Sequence, residues 1–279
     1  MQEGKASRTA LRVAIRRAAH QLVDRPPVLD DPIAVRLIGP GYERDLERAA
    51  HTVARDFRAF MAARSRYAED RLAEAVDAGV RQYVVLGAGL DTFAYRNPYR
   101  DLRVFEADFP ATQAWKREML AAAGVEVPAN LWFAPLDLEH KTLMESLVEA
   151  GVDGSAPAFF SWLGVAPYLT LEGFRSTLAA IAELPEGTGV TFDYAIPPET
   201  LTPERREVFD RLAGRVAAAG EPFQLFLAVG EAEAEMRRAG FRCVEQADHN
   251  ALNDLYFRDR ADGLKLSPVG IGMIATGWV

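Results

Sequence analysis

The sequence predicts an α/β fold, a doubly wound and mostly parallel sheet with helices on both faces. From Gly79 onward, apolar runs of strand length alternate with helical stretches, the pattern of successive βα units. The first run leads straight into a glycine turn, "LGAGLD" (86–91), and open α/β sheets bind ligands beyond the carboxyl ends of their strands. The next two runs end in acidic residues, Glu106 and Asp108 on the second and Asp137 on the third.

Taken in order, residues 1–78 read as a helical cap. "TALRVAIRRAAHQLV" places Leu11, Ala14, Ile15, Ala18, Ala19 and Leu22 at helical spacing. "DRPPVLDDP" (24–32) breaks that pattern, because proline ends a helix and restricts the residue before it. A second helical block, "ARDFRAFMAARSRYAEDRLAEAVDAG", stops at Gly79. The core, 79–279, has strands expected at 82–86, 103–107, 131–136, 158–163 and 189–194, with helices at 110–123, 139–150 and 171–184 between them. A helical insert around 196–225 follows, carrying a helix over 203–219. Then come a short helix at 230–239 and strands at 241–246 and 269–277, the last antiparallel, making seven strands.

A chain of 279 residues can bury a sizeable core, and 49% hydrophobic with 26% charged residues is the balance of a folded globular protein. The net charge of −8 argues against nucleic acid as a partner, and "RVAIRR" (12–17) reads as a solvated helix face. No apolar run reaches the roughly 18 residues of a membrane helix. The N-terminus lacks the hydrophobic core and cleavage site of a secretory signal, so a cytoplasmic location is expected. Cys243, the one cysteine, excludes an intrachain disulfide and is expected as a buried small residue in a strand.

Around the turn, Gly87 and Gly89 would let a ligand approach the backbone closely, with Ala88 between them and Asp91 just beyond. A dinucleotide fingerprint needs a third glycine at position 92, which is Thr92, and no lysine stands at triphosphate-loop spacing. Glu106 and Asp108 lie at the distance from the turn at which an acid reaches ribose hydroxyls, and their spacing puts both on one face of a strand. Acids at the ends of neighbouring strands suit a ribose and an exocyclic amine and suit a diphosphate poorly. The ligand expected is an adenosine without phosphates.

"AARSRYAED" (62–70), "LGAGLDTFAYR" (86–96), "VFEADFPATQAWKR" (104–117), "PLDL" (135–138) and "FFSWLGVAPYL" (159–169) together resemble the leucine carboxyl methyltransferase-related family of class I S-adenosylmethionine-dependent methyltransferases. The resemblance, closest to the family's bacterial branch, runs in order over about residues 7–195 and more loosely beyond. It implies a Rossmann-like core and S-adenosyl-L-methionine as cofactor with S-adenosyl-L-homocysteine as product; from the scattered histidines, no metal is expected. Arg64 matches the family arginine that engages the methionine carboxylate, and two parallel hydrogen bonds from a guanidinium suit that task. Gly87 belongs to the turn beside the amino-acid end, Asp108 matches the ribose acid, and Asp137 with Leu138 match the pair at the adenine. One departure stands out: the family's carboxyl methyltransferases carry a glutamate on the fourth strand, where the nearest match here is Trp162. Tyr168 keeps the downstream tyrosine.

The activity expected is O-methylation of a small-molecule carboxylate or hydroxyl. The alternatives are methylation of a protein C-terminal carboxylate, a nicotinamide-dependent dehydrogenase on the same sheet, and a cofactor-binding protein without turnover. A carboxylate acceptor needs no general base, so no catalytic base is assigned; Tyr95, Tyr168 and Tyr194 are candidates to orient an acceptor. His20, His51, His140 and His249 are scattered without metal-ligand spacing and are expected at the surface or at caps.

Overall fold

The computed structural model describes residues 8–51, 55–136, 141–218, 220–267 and 272–279. The cap is helical as expected, with α1 over Arg8–Val23 and α4 over Arg55–Asp77. Between them the chain forms two further short helices, α2 (Pro32–Ile38) and α3 (Glu43–Ala50), where the sequence pattern showed only a break. Asp31 explains α2: its carboxylate accepts from the Ala34 N–H, and Pro32 opens the helix where no N–H is needed.

The sheet has seven strands: β1 (Gln82–Leu86), β2 (Arg103–Asp108), β3 (Leu131–Pro135), β4 (Phe159–Trp162), β5 (Gly189–Ala195), β6 (Cys243–Ala247) and β7 (Gly272–Trp278). Their spatial order is β3-β2-β1-β4-β5-β7-β6. The first five are mutually parallel, and β7 enters antiparallel between β5 and β6. Helices α5 (Pro110–Ala122), α6 (Leu143–Glu149), α7 (Leu171–Ala182), α8 (Pro203–Ala217) and α9 (Val229–Ala239) occupy the stretches expected to be helical. A tenth helix, α10 (His249–Tyr256), was not foreseen. Its eight residues carry too little apolar periodicity to announce it, although Asp248 caps it through the Ala251 N–H.

Strand alternation sends successive side chains to opposite faces. Val84, Leu86, Phe105, Phe160, Phe192 and Tyr194 join one apolar layer with Phe174, Leu178 and Met236. Tyr83, Val85, Val104 and Phe159 join Leu72 and Ala75 of α4 on the other face. Helix α1 buries Ala14, Ile15, Ala18 and Ala19 against Leu37, Ile38 and Leu90. The cap is thereby fastened to the loop that follows β1.

Three local expectations need correcting. Cys243 is exposed, because among the described residues β6 pairs with β7 alone and forms the sheet's edge. "RVAIRR" is not a solvated face: Arg17 is buried, its charge matched by Asp31 at 2.6 Å and Asp91 at 2.7 Å. His20 is fully buried rather than at the surface, with Nδ1 2.8 Å from Asp24 and Nε2 accepting from the Val28 N–H at 2.8 Å. It satisfies polar groups of the proline-containing loop, which would otherwise be orphaned. His140 lies outside the described residues.

Candidate active site

The chain lays down β1, β2 and β3 in one direction and then returns to place β4 on the free side of β1. The loops leaving β1 and β4 therefore part at the carboxyl edge, opening the crevice where such sheets take ligands. Gly87 and Gly89 sit at this edge with φ of 66° and 47°, values that favour glycine. A Cβ on Gly87 would lie 2.4 Å from a Val165 methyl, in the loop after β4. One on Gly89 would lie 3.0 Å from Ala10 of α1. The turn is closely fitted on both sides.

The acids at the turn divide their work. Asp108, at the end of β2, accepts from the Gly89 N–H at 2.6 Å and the Phe109 N–H at 2.7 Å. Burial pushes its carboxyl upward, with those two bonds opposing. Asp91 accepts from the Phe93 N–H at 2.8 Å and from Arg17 at 2.7 Å. Burial would raise its carboxyl too, but Arg17, Lys116 and Arg96 overcome that and hold it at about 2. Thr92, at the position of the missing third glycine, bonds Asp31 at 2.7 Å and accepts from Arg17 at 2.8 Å. Its hydroxyl ties the turn to the cap.

Arg64 reaches the crevice from α4. Its guanidinium donates to Asp193 of β5 at 2.6 Å, the other oxygen of Asp193 accepts from the Gly164 N–H at 2.5 Å, and the Arg64 Nε is buried without a hydrogen-bond partner among the described residues. A Cβ on Gly164 would stand 3.0 Å from the guanidinium. Tyr168, in the 3-10 turn after β4, lines the same crevice. Burial pushes its phenol up to about 12, with the Arg64 charge pulling the other way. Trp162 stacks on Phe174 at 5.5 Å and lines the floor, while Tyr194 gives its hydroxyl to Gln246.

Arg64, Gly87, Ala88, Gly89, Asp91, Asp108, Trp162, Tyr168 and Tyr194 thus border one cavity of about 1970 Å³. Glu106 and Tyr95 do not border it, which corrects their expected place. Helix α5 runs back over β2 and covers Glu106, which pairs with Lys116 at 2.7 Å, whereas Asp108 stays at the rim where α5 begins. Burial lifts Glu106 to about 7, with Lys116 opposing. The Tyr95 ring faces Lys116, its centroid 5.4 Å from the ammonium. Asp137 and Leu138 lie outside the described residues.

Sequence reasoning missed Asp193, Gly164, Val165 and Arg17. A signal existed for Asp193, a lone charge in the otherwise uncharged strand "GVTFDYA". The other three carry no pattern of their own, since each matters only through a neighbour distant in sequence.

The model of the family described as "Leucine carboxyl methyltransferase" matches residues 10–182. The chain belongs to that family. It is 33% identical to "Putative S-adenosyl-L-methionine-dependent methyltransferase YktD" of Bacillus subtilis (strain 168), over 95% of each chain. A Mycobacterium avium (strain 104) protein named in the same terms, without the final label, is 31% identical over 75% of this chain and 72% of its own. Among solved structures, a DUF574 family protein from Streptomyces avermitilis aligns with a TM-score of 0.57 at 17% identity, covering 99% of this chain and 98% of that one. A Thermobifida fusca structure described as a "putative methyltransferase" aligns at 0.56 and 21% identity, covering 95% and 94%. These two share the fold.

Proposed function

We propose that the chain is an O-methyltransferase that moves a methyl group from S-adenosyl-L-methionine to a carboxylate or hydroxyl of a small molecule. By family it is an S-adenosylmethionine-dependent methyltransferase; the acceptor and the residue roles are our reading. The observation that carries it is Arg64, a buried guanidinium fixed on one side by Asp193, its Nε without a partner among the described residues, which borders the same cavity as the Gly87 turn.

These residues fit the cofactor. A guanidinium with one nitrogen engaged and the rest open suits an amino-acid carboxylate, the backbone of the glycine turn borders the cavity where a nucleoside would lie, and Asp108 at the end of β2 suits ribose hydroxyls. Ala88 and Trp162 would complete its walls; Asp137 and Leu138 belong to the same proposal on the sequence resemblance alone. Bound there, the cofactor supplies an electrophilic methyl on a sulfonium. The protein's part is to align the acceptor and exclude water. Tyr168, with its phenol protonated near neutral pH, acts as a hydroxyl donor that orients the acceptor and not as a base.

A small acceptor is favoured over a protein C-terminus by the roof. The Thr9 hydroxyl of α1 meets the Glu221 carboxylate just beyond α8, so cap and insert close over the cavity. Trp162, where a carboxyl methyltransferase would carry glutamate, points the same way. The cap acts as a lid over both ligands.

Calorimetry with S-adenosylmethionine, S-adenosylhomocysteine and NAD tests the cofactor; binding of NAD alone contradicts the reading. Transfer of a tritiated methyl from the cofactor, compared on metabolite and protein fractions of a cell extract, tests the acceptor. Label confined to the protein fraction would contradict a small-molecule acceptor.

A further inference from the structure

The cavity is larger than the roughly 300–1,000 Å³ typical of a small-ligand site, and it continues from Arg64 outward beneath α1, the first turns of α4 and α8. This outer part has its own chemistry. Phe57, Phe60, Phe209 and Phe223 line it, with the Phe209 and Phe223 rings stacked at 6.0 Å and Tyr168 packed on Phe223 at 5.3 Å.

Three guanidiniums border the same space: Arg12 and Arg16 from α1 and Arg215 from α8. Arg16 stands over the Phe57 ring at 4.7 Å, donates to the Arg12 carbonyl at 2.9 Å and has a buried Nε with no partner among the described residues. Among the described residues no carboxylate pairs with any of the three. Of the acids on the cavity's outer side, Glu221 accepts from Thr9, Asp56 accepts from the Ser267 N–H at 2.7 Å, and Asp45 lies 3.9 Å from Arg48. Burial and, after it, the neighbouring charges of Arg12 and Arg215 together lower Arg16 to about 10. Arg12 and Arg215 are exposed and Arg16 is partly buried against the phenylalanines, so their like charges repel and an anion joining them would relieve that repulsion.

We infer that this outer chamber binds the anionic head of an amphipathic methyl acceptor, its apolar body lying along the phenylalanines and its acidic oxygens held by Arg12, Arg16 and Arg215. Phe57 precedes Arg64 by seven residues on α4, about 10 Å along the helix at roughly 1.5 Å per residue. The head is therefore held away from the end of the cavity where Arg64 lies. That the ligand is a methyl acceptor rests on the proposed function; that the chamber takes an amphipathic anion does not.

The test uses the full chain and two fluorescent probes of similar shape, 1-anilinonaphthalene-8-sulfonate and its neutral counterpart N-phenyl-1-naphthylamine. The parent should bind the sulfonate about tenfold more tightly, the size of one charge-assisted contact. Arg16→Gln with Arg215→Gln should abolish that preference and leave affinity for the neutral probe and for S-adenosylhomocysteine unchanged. Arg215→Gln alone, on an exposed residue, should cost the sulfonate about threefold if the double variant does not fold. Equal affinities in the parent, or an unchanged preference in the variants, overturn the inference. If the parent shows the preference but binds no S-adenosylhomocysteine, the methyltransferase reading fails and the anion site stands.

Discussion

Arg64 and Asp193 meet at 2.6 Å although 129 residues separate them, one on a cap helix and the other on the fifth strand. The pair joins the cap to the sheet and, through the Gly164 N–H, to the loop after β4. Breaking it by Asp193→Ala strands a buried charge and should cost about 3–5 kcal/mol of stability. Asp193→Asn should cost less, since the amide oxygen can still accept. A double-mutant cycle with Arg64→Ala, read by denaturant unfolding, should show strong coupling; additive losses would mean the contact is not formed.

Gly87→Ala should be disruptive for two reasons that can be separated. A Cβ there meets a Val165 methyl at 2.4 Å, and φ of 66° disfavours any side chain by about 1–2 kcal/mol. Val165→Ala in the same chain should restore the part lost to collision and leave the backbone part. Thermal unfolding of the two variants and their combination decides this. No recovery at all would place the damage outside the Gly87–Val165 contact.

Asp91 makes stability depend on acid. Its carboxyl is held at about 2 in the folded chain against an ordinary 3.8, so the unfolded chain takes up the proton first as pH falls. The stabilisation is complete above about pH 4 and is lost between roughly pH 4 and 2, amounting to about 2 kcal/mol. Asp91→Asn should flatten the parent's stability curve in that window; identical curves would remove Asp91 from the account.

Much of this architecture was legible in the sequence because it follows from local periodicity. The apolar runs from 82 to 194 became five parallel strands within a residue or two of their expected bounds, and the glycine turn stands at the carboxyl edge. What escaped depends on tertiary contact. Arg17 looked like one solvated cation among several until Asp31 and Asp91 closed around it. Glu106 and Asp108 share a face of β2 as their spacing required, but where α5 begins decides which of them is covered. The exposure of Cys243 follows from β7 inserting inside β6, a strand order that no local pattern encodes.

The cap should be indispensable. Arg17 holds the loop after β1, and Ala10 packs at 3.0 Å on the position a Gly89 Cβ would take. Deleting residues 1–22 should abolish cofactor binding or acceptor turnover, read by calorimetry and by tritium transfer. Unchanged kinetics would dismiss the lid.

The most direct test compares S-adenosylhomocysteine with 5′-methylthioadenosine, which keeps the nucleoside and sulfur but lacks the amino-acid carboxylate. Titrated calorimetrically into the parent chain, the first should bind at least about tenfold more tightly, the worth of a charge-assisted guanidinium contact. That preference should vanish in the Arg64→Ala, Asp193→Asn pair. Equal affinities of the parent for the two ligands would contradict the claim that Arg64 grips the cofactor's tail.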